Sequence, residues 1–465
     1  MANPDLKSLF PPVTKAEWMQ QIRTDLKGKS IESLKRLTSE GVETEPVYTA
    51  EDLANLPLAA NQATQTTGRT PGWLNVPSVR FDTETRTNSV LRDLLTKGAD
   101  SFRLNLSGIE VEKINWSRLL NGLKLSDTPV WFYCDGQSET VAQALKPLLP
   151  YQLKGGFIDD PISRSLRFGT DPTESLTHLV EATRLTLDSP QCRTITVGSS
   201  VFHNAGATAT QELAFTLNAV VDLCDSLTDS GLTMEQIVPK TALLLSIGTS
   251  YFTEIAKLRA LRILWQRLLA FYHSSFSTHQ AAFIFAQTST FYDATATPYN
   301  NLLRATTEAM SAVIGGCDAL TIHPYDAVLG ESDAFSTRIA RNISILLKEE
   351  AHLDKTLDPS AGSYYLETLT NELVESAWSL FLDVEKRGGL SKAFEAGFIQ
   401  SEIDRAYQEK VEAVKNGRIL VGVTKFRVQG ELVAKPPAQP ERSSETFQVS
   451  TPVFLPDRRL AEEFE

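Results

Sequence analysis

The sequence predicts an α/β fold: a (β/α)8 barrel of the TIM type with an N-terminal arm and a C-terminal helical extension. Short runs of β-branched, aromatic and aliphatic residues recur along the middle of the 465-residue chain, separated by segments with a helical apolar period. Such alternation is typical of a parallel sheet that helices cover. Eight units in succession favour a closed barrel. An open doubly wound sheet is the alternative, since the first and fourth strands are weak.

The eight predicted strands are short and rich in residues that favour extended backbone. They cover residues 79–81, 102–106, 130–134, 156–158, 194–199, 242–247, 282–287 and 319–323. Two apolar stripes with helical spacing lie between the later strands, and we assign both to core packing. The first stripe comprises Leu213, Leu217, Val220, Val221 and Cys224, and the second Leu258, Leu261, Trp265, Leu268, Leu269 and Tyr272.

Composition divides the chain into four parts. Residues 1–70 form an N-terminal arm that ends in a polar run at 61–68, which predicts a linker. Residues 71–355 form the barrel, and residues 356–425 form the helical extension. Residues 426–465 are expected to be a flexible tail, because a Pro-rich run is followed there by Ser and Glu residues.

Charge and cysteine usage disfavour several classes of protein. The 45 Lys and Arg against 57 Asp and Glu give a net charge of −12, which predicts no binding to nucleic acid. No apolar run approaches the ~18–20 residues that a bilayer requires, and no secretion signal is recognised. Cys134, Cys192, Cys224 and Cys317 form no C-x-x-C pair, so we expect buried thiols in a cytoplasmic protein.

In a (β/α)8 barrel, chemistry takes place where strands end and the following loops begin. The polar residues near such positions are Asp159 and Asp160 after the fourth strand, His203 after the fifth, Gln287 at the end of the seventh, His323 on the eighth and Lys240 just before the sixth. The two aspartates and two histidines among them could bind a divalent metal ion. Because no H-x-H or H-E-x-x-H spacing supports such a site, we predict no metal, and a metal-dependent enzyme is an alternative.

Six segments are similar to the adenosylcobalamin-dependent acyl-CoA mutase family, in particular to methylmalonyl-CoA mutases. They are AGATATQELAFTL at 205–217, EIAKLRALRILW at 254–265, PYNNLLR at 298–304, TRIARN at 337–342, DPSAGSYYLE at 358–367 and VGV at 421–423. The resemblance extends from about residue 10 to residue 426. It implies a (β/α)8 barrel in which catalytic members thread an acyl-CoA along the axis, while a separate domain holds cobalamin against the mouth.

The cobalamin domain of the family carries a D-x-H-x-x-G motif, in which the His coordinates cobalt and the Asp orients its other nitrogen. None of the six histidines of this chain has an Asp two residues before it. About 110 residues follow the predicted barrel, fewer than such a domain and its linker require. The resemblance therefore implies no cobalamin-binding domain and no cofactor in this chain, with adenosylcobalamin in a partner subunit.

Two motifs that contact the substrate in active members are altered here. The Tyr-His pair, whose His hydrogen-bonds the substrate carbonyl, falls on Ser200 and Val201, with His203 two places later. Valine cannot donate a hydrogen bond. In the family's G-T-I-Q-N-D motif, Phe157 replaces the Thr and Asp159 replaces the Gln. The resemblance thus implies a degenerate substrate site.

Two further motifs are also altered, and one is kept. In P-R-L-S, Lys240 replaces the Arg and Ala242 replaces the Ser, while Ala327 replaces the Glu of F-D-E-A near the cofactor. The Q-T-S of the seventh strand survives, beginning at Gln287. The resemblance implies no catalytic residue, with Lys240 and Gln287 as the residues left to contact an acyl-CoA.

Matching scaffold motifs with altered substrate positions indicate a non-catalytic copy. The family contains such a copy, the small subunit that pairs with a catalytic large subunit interconverting methylmalonyl-CoA and succinyl-CoA. Segments 10–18, 26–28 and 46–49 resemble small subunits, whose arm is expected to wrap the partner. Small subunits often keep a vestigial cobalamin-like domain, which this chain is expected to lack. The alternative is a catalytic barrel that uses His203, with its cobalamin domain on a separate chain.

Overall fold

The computed structural model describes residues 13–38, 40–148, 151–272, 280–427 and 454–465. A small antiparallel hairpin, β1 (Arg36–Leu37) and β2 (Glu43–Thr44), precedes the main sheet. The main sheet contains β3 (Leu74–Asn75), β4 (Ser78–Arg80), β5 (Phe102–Asn105), β6 (Val130–Tyr133), β7 (Gly155–Ile158), β8 (Cys192–Arg193), β9 (Ile195–Gly198), β10 (Thr241–Ile247), β11 (Ile284–Thr288) and β12 (Ala319–Thr321).

All neighbours in the main sheet are parallel, and their hydrogen bonds divide it into two five-stranded parts. Strands β4 to β8 pair in chain order, and β9 to β12 continue in chain order until β12 pairs with β3. Two residues separate β3 from β4, and one separates β8 from β9, so each couple is one interrupted barrel strand. The predicted α/β fold with parallel strands is therefore confirmed, and its strand order is that of a (β/α)8 barrel and not of an open doubly wound sheet.

The fourth barrel strand looked weak in sequence because two glycines begin it. A Cβ on Gly155 would lie 2.2 Å from the backbone oxygen of Val130, and one on Gly156 would lie 1.9 Å from that of Arg193. Neighbouring strands approach so closely here that only glycine fits. The low β-propensity of this segment thus reflects close packing.

Most of the helices cover the outside of the barrel, whereas the first has no buried residue. They are α1 (Lys15–Asp25), α2 (Leu58–Thr66), α3 (Glu84–Thr96), α4 (Trp116–Leu119), α5 (Ser138–Leu145), α6 (Pro161–Phe168), α7 (Thr173–Leu185), α8 (Ser200–Ala205), α9 (Ala209–Asp229), α10 (Met234–Ile237), α11 (Tyr251–Tyr272), α12 (Pro298–Ile314), α13 (Ala334–Glu349), α14 (Tyr364–Lys386), α15 (Leu390–Glu395) and α16 (Phe398–Lys415). Both predicted apolar stripes lie in the helix-facing core, on α9 and α11.

The polar run at 61–68, predicted to be a linker, instead lies mostly in helix α2. Asn61 and Gln65 are buried, and the Gln65 amide donates to the backbone oxygen of Arg259 at 3.1 Å. This tertiary hydrogen bond satisfies the Gln65 amide group, which explains how a polar residue of this segment is buried in a packed helix. The expected wrapping of a partner by the arm stays a prediction.

Residues 454–465, which we call the C-terminal strap, were predicted to be part of a flexible tail and are packed instead. Leu460 and Ala461 are buried, and the Leu460 amide donates to the Phe291 oxygen at 2.8 Å. The amide of Leu455 donates to the Leu166 oxygen at 3.0 Å. The strap therefore crosses loops and helices at the carboxyl end of the barrel. Residues 428–453 of the predicted tail, including its Pro-rich run, lie outside the described residues.

Candidate functional site

Side chains of the barrel strands alternate between the helix layer and the barrel axis. Phe102 and Leu104 of β5 pack outward, as do Val130 and Phe132 of β6. The intervening residues point inward, as the period of two in a strand requires. The inward apolar set is Val76, Trp131, Ile158, Ala242, Leu244, Phe285 and Ala319, with Leu74, Tyr133 and Phe283 packed against it. We call this set the axial plug.

Aromatic rings dominate the axial plug. The Trp131 ring centroid lies 5.4 Å from that of Phe283, stacked, and 5.1 Å from that of Phe285, edge to face. The guanidinium of Arg193 lies 4.1 Å from the Phe283 centroid. Trp131 and Phe285 are each 1% exposed. The barrel interior is thus a packed core at this level, and no open channel runs along it.

A separate cavity lies at each end of the plug. The mouth cavity, at the carboxyl ends of the strands, has a volume of about 240 Å³, and Ile158 and Leu244 of the plug form part of its wall. The base cavity, at the amino ends, has a volume of about 740 Å³, and Trp131 and Phe283 line it. The two cavities share no lining residue.

Gln287 lies at the mouth with its side chain already engaged. Its Oε1 accepts a hydrogen bond from Arg103 Nη1 at 2.9 Å, and its Nε2 donates to Ser246 Oγ at 3.4 Å. The Arg103 guanidinium lies 5.1 Å from the ring centroid of Tyr133. Burial lowers the pKa of Arg103, but a guanidinium stays charged in proteins.

The two aspartates after β7 hold the rim of the mouth together. Asp159 is paired with Arg164 at 2.9 Å and accepts from the Gly136 amide at 3.0 Å. Asp160 caps helix α6 by accepting from the Ser163 amide at 2.9 Å, and it also accepts from the Gly198 amide at 2.7 Å. Burial raises the pKa of Asp160 despite these hydrogen bonds. Both carboxylates therefore have structural partners.

His203 lies in a buried polar network beside the mouth. Its Nδ1 is 3.1 Å from Glu212 Oε2, and its Nε2 is 2.8 Å from Ser289 Oγ. Glu212 also accepts from Lys257 Nζ at 2.8 Å, and Lys257 pairs with Glu254 at 2.6 Å. Burial alone would raise the pKa of Glu212. The nearby Lys257 and His203 lower this pKa by more than burial raises it, so the carboxylate stays charged. Both ring nitrogens of His203 are thus occupied within the protein.

The two-residue offset of His203 from the family position has a geometric consequence. Residues Ser200 and Val201 begin helix α8 and line the mouth cavity. Two residues in a helix turn the side chain by ~200°, so His203 points away from the cavity toward helix α9. A strand would have kept the same face, but the chain is helical here.

Phe157, one of the altered family positions, does not face the axis. It packs outward in the helix-facing core, with its ring centroid 5.9 Å from that of Phe132. Its side chain therefore faces the helix layer, because successive strand residues face opposite sides. Ala242 does face inward, as part of the plug. Ala327 lies in the turn after β12, where its amide donates to the Pro324 oxygen at 3.0 Å.

Lys240 directly precedes the sixth barrel strand, as predicted, whereas His323 lies beyond the end of the eighth. The Lys240 ammonium donates to the backbone oxygens of Thr186 and Ser189 at 2.5 and 2.7 Å, at the amino end of β10 and away from the mouth. His323, predicted on the eighth strand, follows the end of β12 by two residues and lines the mouth cavity. Burial, aided by the nearby Arg103, lowers the pKa of His323 to about 4.

The four residues considered as alternative metal ligands do not assemble. Within the described residues, no group of three or more His, Cys, Asp or Glu side chains has a geometry that could hold a metal ion. Asp159 and Asp160 are bound to rim groups, and His203 faces Glu212. The same described part of the chain contains no helix long and apolar enough to cross a bilayer.

Sequence reasoning missed Arg103, a charged residue of β5 that points inward and lines the mouth cavity. Its signal was present: a basic residue between Phe102 and Leu104 in an apolar strand must point to the opposite side from both. The axial plug was also missed. Trp131 lies between Val130 and Phe132 and alternates with them in the same way. Because all three residues are apolar, their composition does not show which of them faces the barrel axis and which the helix layer.

Comparisons with known proteins agree with this barrel. The family model described as methylmalonyl-CoA mutase matches residues 118–451. A methylmalonyl-CoA mutase small subunit from Porphyromonas gingivalis is 35% identical, over 90% of this chain and 71% of that protein. One from Streptomyces virginiae is 31% identical over the same shares. A methylmalonyl-CoA mutase from Escherichia coli K12 is 29% identical, over 89% of this chain and 64% of that protein.

The match covers most of the chain, and two relatives above 30% identity are small subunits. The resemblance inferred from the six sequence segments is therefore confirmed. The chain belongs to the methylmalonyl-CoA mutase family.

Proposed function

We propose that this chain is a non-catalytic small subunit of an adenosylcobalamin-dependent methylmalonyl-CoA mutase. It pairs with a catalytic large subunit as a heterodimer, and that partner interconverts methylmalonyl-CoA and succinyl-CoA. The role of this chain is to stabilise or assemble the holoenzyme. The names of its relatives, which call them small subunits, support a larger partner.

The axial plug is the observation that carries the proposal. A barrel that acts on an acyl-CoA by threading it along the axis needs an open interior, and Trp131, Phe283 and Phe285 fill that interior here. The base and mouth cavities are separate, and the mouth cavity of about 240 Å³ is below the roughly 300–1,000 Å³ of ordinary ligand pockets. A thioester entering from the base would stop at Trp131.

The loss of a hydrogen-bond donor at the position of the family's substrate-binding His supports the same proposal. Val201 occupies the position of the family's substrate-binding His, and both nitrogens of His203 are held by Glu212 and Ser289. No imidazole is therefore free at that position to stabilise a rearranging acyl group. This arrangement disfavours the alternative in which His203 is the catalytic residue.

The residues present at the mouth do not fit a cobalamin. The C-terminal strap packs against Phe291 and Tyr407 at the rim, where a cofactor domain would have to approach. No histidine of the chain has the Asp two residues earlier that the cobalt-binding motif requires. We therefore place adenosylcobalamin in the large subunit. We also propose a cytoplasmic setting, because all four cysteines are buried free thiols.

A mutase assay of the purified chain tests the proposal. With adenosylcobalamin and methylmalonyl-CoA, the chain alone is expected to give no turnover, and activity is expected when the large subunit is added. The His203→Ala variant in the reconstituted pair should keep the kcat of the unaltered pair. Turnover by the chain alone, or loss of kcat in a correctly assembled His203→Ala pair, would refute the proposal in favour of a catalytic barrel.

A further inference from the structure

The mouth cavity contains a cation without a carboxylate partner. Among the described residues, no Asp or Glu oxygen forms an ion pair with Arg103, and its guanidinium donates a hydrogen bond to the neutral amide of Gln287. Its buried Nε has no hydrogen-bond partner either. A guanidinium that lacks part of its hydrogen-bond partners and borders a cavity attracts an anion more strongly than a guanidinium in water does.

The other arginines of the mouth differ from Arg103. Arg164 is paired with Asp159 at 2.9 Å and also contacts Asp135 at 3.5 Å, while Arg167 is paired with Asp457 of the strap. Asp160 also lines the cavity, and its carboxylate is taken up by the amides of Ser163 and Gly198 and by the Ser163 hydroxyl. Among these three arginines, Arg103 is therefore the one for which the described residues show no carboxylate partner.

We propose that the mouth cavity binds a small free carboxylate, with the Arg103 guanidinium as its main contact. The planar fork of an arginine matches the two oxygens of a carboxylate. Ser200, Asn204 and Thr290 add polar groups to the wall, and Ile158 and Leu244 form an apolar side for a short carbon chain. His323 is neutral near pH 7 and adds a hydrogen-bonding ring without a second charge.

Size and access distinguish a free acid from the acyl end of a thioester. The cavity of about 240 Å³ suits a small organic acid, whereas a thioester of coenzyme A would need its long chain to pass the axial plug. The base cavity has equal numbers of cationic and acidic lining residues. It is lined by the cations Arg69, Lys154, Arg193 and Lys348 and by the acids Asp100, Asp127, Asp318 and Asp354.

Calorimetric titration of the full chain tests this proposal. Malonate and succinate are expected to bind with one site per chain, while the uncharged succinamide and succinyl-CoA are not. Inorganic phosphate serves as the arm for a non-specific anion, and phosphate binding as tight as succinate would overturn the assignment to carboxylates. Absence of heat with both dicarboxylates, or tighter binding of succinyl-CoA, would also overturn it.

Two variants and one control locate the site. Arg103→Gln should weaken succinate binding by at least about tenfold, because it removes a charge-assisted contact. Ser200→Phe keeps Arg103 but fills the cavity, and it should abolish binding. Arg193→Gln, which removes an arginine that lines the base cavity, should leave the affinity unchanged. The melting temperature of each variant is also measured with and without succinate. Because the shift is taken relative to the same variant without ligand, a loss of stability in the variant does not mask the result.

Equal affinity in Arg103→Gln, or loss of affinity in Arg193→Gln alone, would place the anion elsewhere and refute the proposal. The experiment measures binding by the full chain, whereas the mutase assay measures turnover. A negative result here would therefore leave the proposed non-catalytic role intact.

Discussion

Trp131 and Phe285, on strands β6 and β11 from opposite sides of the barrel, meet edge to face at its axis with ring centroids 5.1 Å apart. Both side chains point inward and are almost fully buried. Their contact fills the barrel interior between the base cavity and the mouth cavity. The scaffold of the mutase family is thus kept, while its axis is filled by packing.

The Trp131→Ala variant should lose about 3–5 kcal/mol of unfolding free energy, because the axial plug loses its largest side chain and cannot collapse. Urea denaturation followed by circular dichroism measures this loss. The matched control is Trp378→Ala on helix α14, where the indole is only partly buried against Phe271, so the loss should be smaller. A loss at Trp131 no larger than that at Trp378 would contradict the packed axis.

Arg259 joins two of the family motifs and should be a major contributor to stability. Its guanidinium pairs with Asp358 and with Glu367, each at 2.7 Å, and all three side chains are buried. Replacement by Met leaves two buried carboxylates without a cation, so we expect a loss of about 3–5 kcal/mol in unfolding free energy.

Arg267→Met provides the control for Arg259, since it lies on the same helix and pairs with Glu375 at the surface. Exposed pairs contribute about 0–1 kcal/mol, so this variant should unfold close to the unaltered chain. Comparable losses in the two variants, measured by urea denaturation, would show that the motifs are not held together by the buried pairs.

His323 should make the fold sensitive to acid. Its pKa is about 4 in the folded chain, against about 6.5 when unfolded, so the unfolded state binds more protons between these values. The His323 contribution to stability is therefore full above about pH 6.5 and is lost as the pH falls toward 4. His323→Gln should flatten the dependence of unfolding free energy on pH across that window. An unchanged slope in denaturation series at several pH values would contradict the lowered pKa.

The C-terminal strap should detach when its apolar anchor is removed. Leu460 is fully buried beside Phe291, and its replacement by Asp would place a charge in that apolar contact. Amide hydrogen exchange at 454–465 should then accelerate while the barrel strands keep their protection. Glu462→Ala, at an exposed position of the strap, should leave exchange unchanged. Continued protection in Leu460→Asp would show that other contacts hold the strap.

Much of the fold could be predicted from the sequence because local pattern and tertiary environment agree. In the near-continuous apolar strands and in the stripes of α9 and α11, the spacing of the apolar residues predicts which side chains are buried. The helix α2 and the strap were missed for a common reason. Both are short or polar, and their order comes from distant partners such as the Arg259 and Phe291 oxygens, which no local pattern encodes.

The candidate site was predictable only in part. The sequence placed Gln287 and His323 near the mouth, where they lie, and the family offset at His203 pointed to a changed site. The direction of each side chain was harder to infer. Phe157 was counted among the altered family positions of the substrate site, yet it packs outward, because neighbouring strand residues face opposite sides. The helical turn at α8 then rotated His203 away from the cavity.

Binding of methylmalonyl-CoA to the purified full chain tests the closed axis most directly. Equilibrium dialysis, with a structure of the chain determined at saturating thioester, would report whether the ligand enters the barrel. The account predicts no thioester along the axis and the Trp131 and Phe285 rings still in contact. A thioester extending past those rings, with an imidazole touching its carbonyl, would contradict it.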